Sequence, residues 1–343
     1  MIRTYEYTCT KNSFSLINYA IIPLTEYTIK GDFQMENSID ISKIINDDID
    51  ELLQKNESNS VKNNDFTKTW CDMAILVASQ IEFIVQTSLH TQNGYNKNEA
   101  VIYGQLMRIF RMLCYQRRLV CKQVMTTILA GFFERMLLEG NINLQYFIFN
   151  YNDSKLNDFR LHSLKAEAIF EEVINNDITQ NGGQPSPWQS SLLNSIHDTY
   201  NKAQTTYEEV KKSKAKLPNI SQKFNNTGNQ KLYDVAYRTK CHDIHGDWVD
   251  FTQNYLTYDK TTNTFSPNFQ EYDADLRQLN PILIICCDTL IKFIKHFPGH
   301  GLSHDICDEI NQSMQLAFLL ENMHDNFINK KDLLENVNSP LIQ

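Results

Sequence analysis

Eleven glycines and eight prolines in 343 residues leave this chain short of the residues that make tight turns cheaply. A sheet-rich protein of this length turns every eight to twelve residues or so, and each turn favours Gly, Pro or Asn at defined positions. Helices need few such breaks. With 42% hydrophobic and 21% charged residues, the chain can also bury a substantial core. The expected class is mainly α: a multi-helix bundle with a projecting helical segment and a short β or extended N-terminal arm.

Apolar spacing places the helices. Ile41, Ile44, Ile45, Ile49, Leu52 and Leu53 recur at helical intervals behind Ser38, predicting a helix over about 38–55. Further helices are expected over 66–89, 98–116, 119–149 and 153–175, the 119–149 run being the most apolar. Gly182, Gly183, Pro185 and Pro187 mark a loop, and the Lys-tailed stretch 191–217 reads as a helix that leaves the bundle. A polar connector over 218–229 leads to a helix over 230–248. The last two helices are expected over 281–296, with Pro281 in the first turn behind Asn280, and over 303–329 from a Ser303 cap. The organisation that follows is an arm over 1–35, where Tyr5, Tyr7 and Cys9 and then Tyr27 and Ile29 alternate, a single helical domain over 36–330 with a projecting hairpin and connector at 190–230, and a tail over 331–343.

No signal peptide is read in the first 30 residues. The apolar run from Pro281 to Ile294 is interrupted by Asp288 and Lys292 and falls short of the roughly 20 residues that cross a bilayer, so no membrane contact is expected. Eight cysteines without paired spacing read as reduced thiols of a cytoplasmic protein. The net charge of −9 argues against a surface coated by nucleic acid. Basic residues nevertheless cluster: 200–240 holds nine bases against Glu208, Glu209 and Asp234, and 100–135 holds six against Glu134. Such windows form either a face for a polyanion or ordinary solvated helix surface.

Two polar stripes carry the candidate chemistry. Asp234, His242 and His245 fall within about 40° of Arg238 at 100° per residue, so a single helix would present the four together. A cation beside two imidazoles can hold a phosphate and move a proton; the same residues can equally form a structural network in which Asp234 pairs with Arg238. The second stripe, Arg135, Glu139 and Asn143, steps by four along the most apolar helix and is expected to be a buried ion pair with an amide beside it. His296, His300, His304 and Cys307 are close enough to suggest a metal site, although Pro298, Gly299 and Gly301 rule out a simple helical ligand pair. There is no Gly-rich phosphate loop, no Gly-x-Ser-x-Gly elbow and no His-Glu-x-x-His motif. No cofactor is expected.

The segment Arg135 to Tyr146, followed about 90 residues later by Leu232 to Trp248 with its His245-Gly246 pair, resembles a family of prokaryotic helical proteins known only as a domain of unknown function. That resemblance implies that Arg135, Glu139, Asn143 and His245 belong to one site. Arg238 with His245 is more loosely similar to the HEPN class of helical ribonucleases, in which an Arg and a His from two subunits meet across a dimer interface and cut RNA without metal. Thr239 stands where a polar residue such as Asn more often follows that Arg. This second resemblance implies a metal-independent ribonuclease of a toxin or phage-defence system, acting on RNA as a homodimer. His245 would be the base, Arg238 the charge stabiliser and His242 the assisting acid, with Arg135 and Glu139 orienting their helix. The alternative is a non-catalytic helical module that binds another protein.

Overall fold

Ile45, Ile49 and Leu52, at steps of four and three, put one buried face on the first helix, and a second helix takes up that face. The computed structural model describes residues 41–58, 60–87, 94–297, 302 and 304–338. Helix α1 (Ile41–Glu57) packs on α2 (Asn63–Thr87), whose Phe66, Trp70, Met73, Val77, Ile81 and Ile84 are buried. Helices α3 (Glu99–Cys121) and α4 (Thr127–Phe149) lie against α2 and each other. Gly140 lets α3 and α4 close up, because a Cβ there would stand 3.3 Å from Ile109 Cγ1. The main core is completed by α13 (Leu276–His296), which contacts α2, α4 and α14 (His304–Asn338) and is buried on most of its circumference. The protein is mainly α, and among the described residues no helix is long and apolar enough to cross a membrane.

Several element boundaries depart from expectation for local reasons. The helix expected over 98–116 continues to Cys121. Gln123, at φ 55, then breaks the chain, and Thr126 caps α4 by accepting from Leu129 N–H, so no single helix spans 119–149. Helix α13 begins five residues before Pro281, on an Asp275–Gln278 capping box. Pro281 therefore sits inside the helix, where it offers no N–H to Arg277 O. The C-terminal helix runs to Asn338, into the stretch expected to be a tail. The expected N-terminal arm and its strands lie outside the described residues.

The lysine-rich stretch folds back rather than standing free. Helices α5 (Asp153–Ser163) and α6 (Lys165–Gln180) divide the helix expected over 153–175, and α7 (Pro187–Lys202) and α8 (Tyr207–Lys212) replace the one expected over 191–217. Gln204, at φ 52, ends α7, and a Thr206–Glu209 capping box starts α8. Leu164, Ala168, Ile174, Ile196, Tyr200 and Val210 then bury one another in a small second core. The chain returns to the main core through α9 (Ile220–Asn226), whose Phe224 is fully buried.

The 230–248 helix is also subdivided. It comprises α10 (Gln230–Leu232), a π turn over Tyr233–Tyr237 closed by Arg238 N–H to Tyr233 O at 3.0 Å, and α11 (Thr239–His245). Gly246, left-handed at φ 60, ends α11; α12 (Trp248–Asp250) and a second π turn over Phe251–Tyr255 follow. An antiparallel hairpin comes next, β1 (Leu256–Asp259) on β2 (Thr264–Pro267), with Leu256 opposite Pro267. It turns without glycine. Asp259 accepts from Thr261 and Thr262, which holds its carboxyl down to about 2, and Asn263 takes φ 56.

Candidate functional site

The two polar stripes are separated by the thickness of one helix. At 100° per residue Arg238, His242 and His245 lie on the side of α11 away from Lys240, and Lys240 reaches α4 to pair with Glu134 at 3.4 Å. Arg135 faces the same seam, its guanidinium 4.9 Å from the centre of the buried Tyr237 ring. The first stripe therefore looks outward and the second inward, and the structure does not join His245 to Arg135, Glu139 and Asn143.

The inward stripe differs from the ion pair expected of it. Arg135 and Glu139 make no salt bridge, and one terminal nitrogen of Arg135 is buried without a hydrogen bond. Asn143 Oδ1 instead accepts from Lys223 Nζ at 2.7 Å. Lys223 comes from α9, is 8% exposed, and stands 5.9 Å from the ring centres of both Tyr146 and Phe147. Burial pushes its ammonium below the usual lysine range, and the nearby Glu139 charge opposes that shift. Burial also raises the Tyr237 phenol to about 12, Glu139 adding to the rise while Arg135 works against it.

Two residues beyond Asn143, the fully buried Gln145 makes four bonds. It donates to Thr289 Oγ1 at 2.8 Å and Asp288 Oδ2 at 3.1 Å, and accepts from Asn229 at 2.9 Å and Lys292 at 3.1 Å. Neither Lys223 nor Gln145 figures in the stripes read from sequence. Lys223 stands in what reads as a polar connector, whereas Gln145 gives a signal, since it is an amide inside an apolar run.

On the outward stripe, His242 Nδ1 bonds Asp247 Oδ2 at 2.5 Å, while Asp247 Oδ1 accepts from Val249 N–H at 3.0 Å and Asp250 N–H at 3.3 Å. One carboxylate thus caps α12 and aims an imidazole. Its bond to His242 comes first among the contacts that lower the Asp247 carboxyl. Asp247 is the site residue the periodicity misses, although a glycine followed by Asp at a helix end is a legible stop-and-cap signal. Arg238 and His245 are exposed and have no ion pair or side-chain hydrogen bond among the described residues. Asp234 does not pair with Arg238; it accepts from Gln230 at 3.3 Å. Val235, Ile244 and Trp248 are exposed beside this face, which is more open than expected.

The basic windows are spent in part. Lys202, Lys211, Lys212 and Lys240 form ion pairs with Asp198, Glu172, Glu208 and Glu134, Lys223 is buried, and Arg117 donates to Cys71 O. Among the described residues no group of three or more His, Cys, Asp and Glu side chains is placed to hold a metal ion. His296 packs edge-on to Phe149 and Cys307 is buried; His300 lies outside the described residues, and only the backbone of His304 is described.

Comparison with curated proteins and with solved structures finds no match. Residues 120–263, from the end of α3 into the hairpin turn and so across both stripes, match the model of a family of unknown function, DUF5677.

Proposed function

We propose that the chain is a metal-independent ribonuclease whose reacting groups stand on the outward face of α11. The observation that carries this is the His242–Asp247 bond beside Arg238 and His245, which are exposed and have no ion pair or side-chain hydrogen bond among the described residues. With Nδ1–H given to Asp247, neutral His242 keeps its lone pair on Nε2, the nitrogen turned from the carboxylate. His242, rather than His245, is therefore the base. It takes the proton from a ribose 2′-hydroxyl, whose oxygen attacks the adjacent phosphorus, and the departing 5′-oxygen takes a proton from His245. Arg238, one helical turn from His242, offsets the charge that builds on the phosphoryl oxygens. The exposed Val235, Ile244 and Trp248 offer apolar area to a second copy.

Incubation with single-stranded RNA in EDTA should give fragments ending in 2′,3′-cyclic phosphate, and His242→Ala or Arg238→Ala should stop it. Intact RNA from a folded dimer, or cleavage only after metal is added, would overturn the reading.

A second reading, a protein-binding module, is favoured by one observation. Trp248, Phe251, Tyr258, Phe265 and Phe269 are all exposed on α12, the π turn, the hairpin and the stretch after it, Phe269 at 93%. Under that reading Phe269→Ser loses the partner and Arg238→Ala does not.

A further inference from the structure

We propose that Cys71 and Cys121 are a redox pair which hydrogen peroxide converts to a disulfide, fastening the last turn of α3 to α2. Arg117 Nε donates to the Cys71 carbonyl at 2.9 Å and seats that end of α3 on α2. Cys121 lies one turn beyond Arg117 on the same side of α3, where its thiol and that of Cys71 act on each other's ionisation. The two sulfurs differ in access. Cys71 is 6% exposed, whereas Cys121 is the exposed cysteine among the described residues, so solvent oxidant reaches Cys121 first.

The electrostatics assign the same roles. The neighbouring Cys71 thiol and the Arg117 charge hold the Cys121 thiol down to about 7, while Cys121 and burial keep Cys71 protonated. Burial lifts Cys114, the other α3 cysteine, to about 11 and leaves it unreactive. Cys121 thiolate attacks one peroxide oxygen, the O–O bond breaks, and the hydroxide released takes up the proton lost by the thiol to leave as water. Cys71 sulfur then attacks the Cys121 sulfenic sulfur, and its own proton departs with the displaced hydroxyl as a second water. Two thiols and one peroxide become one disulfide and two waters.

At pH 7 about half of Cys121 is thiolate against about one part in a hundred for an ordinary thiol, and the weaker nucleophilicity of a less basic thiolate takes back most of that gain. Alkylation at pH 7 should therefore be roughly five- to tenfold faster than for an unperturbed cysteine. The full chain is treated with one equivalent of hydrogen peroxide, its free thiols are blocked, and it is digested without reductant for mass spectrometry. The expected product is a peptide linking Cys71 to Cys121, absent after reduction with dithiothreitol and absent from Cys121→Ser. In Cys71→Ala, Cys121 should instead be trapped by dimedone as the sulfenic acid. Wild-type protein in which Cys121 stops at an oxyacid, or links two copies while Cys71 stays free, would overturn the proposal. The wild-type peptide map decides this even if the buried substitution fails to fold.

Discussion

The two sides of the 230–245 stretch carry the same kinds of side chain and use them in opposite ways. On the inner side Tyr237 meets Arg135, Lys240 meets Glu134, and Lys223 from the neighbouring α9 meets Asn143; each polar group is spent on holding this layer to α4. On the outer side Arg238 and His245 make no ion pair or side-chain hydrogen bond among the described residues, and His242 bonds a residue that also caps the next helix. Buried cations need partners because desolvation is costly, whereas exposed ones can stay idle. The inner set is thus a fastening, and the outer set is free to meet a ligand.

The sharpest test of this contrast is Gln145→Ala. It removes four hydrogen bonds from a fully buried side chain and leaves a cavity, while Lys292 keeps Asp288 and Asn229 keeps Thr227, so a loss of about 2–3 kcal/mol is expected in denaturant unfolding. A loss under about 1 kcal/mol would mean that water replaces the amide and the seam is wet.

A subtler test is the pH dependence of Lys223. Its folded value is pushed below the 10.5 of an open chain, so between the two the unfolded state binds the extra proton and stability rises with pH. The penalty of burying the charge is fully present at neutral pH and is relieved as pH climbs toward 10.5. Relative to Lys223→Met, wild-type stability should therefore increase over that alkaline range. A difference that stays flat would show the ammonium to be hydrated.

The smallest effect belongs to the outer face. Arg238→Ala should move unfolding by no more than about 0.5 kcal/mol, because an exposed side chain without partners contributes little. A cost above about 1.5 kcal/mol would place Arg238 in the fastening rather than beside it.

Periodicity and turn chemistry made most of the bundle legible: the helix expected over 38–55 is found over Ile41–Glu57, and that over 66–89 over Asn63–Thr87. It failed where one residue adopts a conformation its type seldom takes, at Gln123 and Gln204, each left-handed without being Gly or Asn. The hairpin went unseen because its turn uses Asp259 and Asn263 in place of glycine. At the site, spacing groups Asp234, Arg238, His242 and His245 on one helix face; the π turn over Tyr233–Tyr237 interrupts that helix, and Asp234 accepts from Gln230. Spacing could not tell which way that face pointed, since this depends on what α4 offers opposite. The buried pair Arg135–Glu139 was inferred from a step of four, yet reach along a helix permits contact without enforcing it, and Lys223 took the place at Asn143 from a segment 80 residues away.

The π turn at Tyr233–Tyr237 holds one residue more than an α turn would. Were the same residues to rewind as α, one residue would be left over, and everything from Thr239 to His245 would swing by about 100° relative to α4. The imidazoles would be carried off the outward face and Lys240 swung away from Glu134, with no change to any of the side chains involved. The winding of this one turn, and not only its residue types, therefore decides what the helix shows to its surroundings.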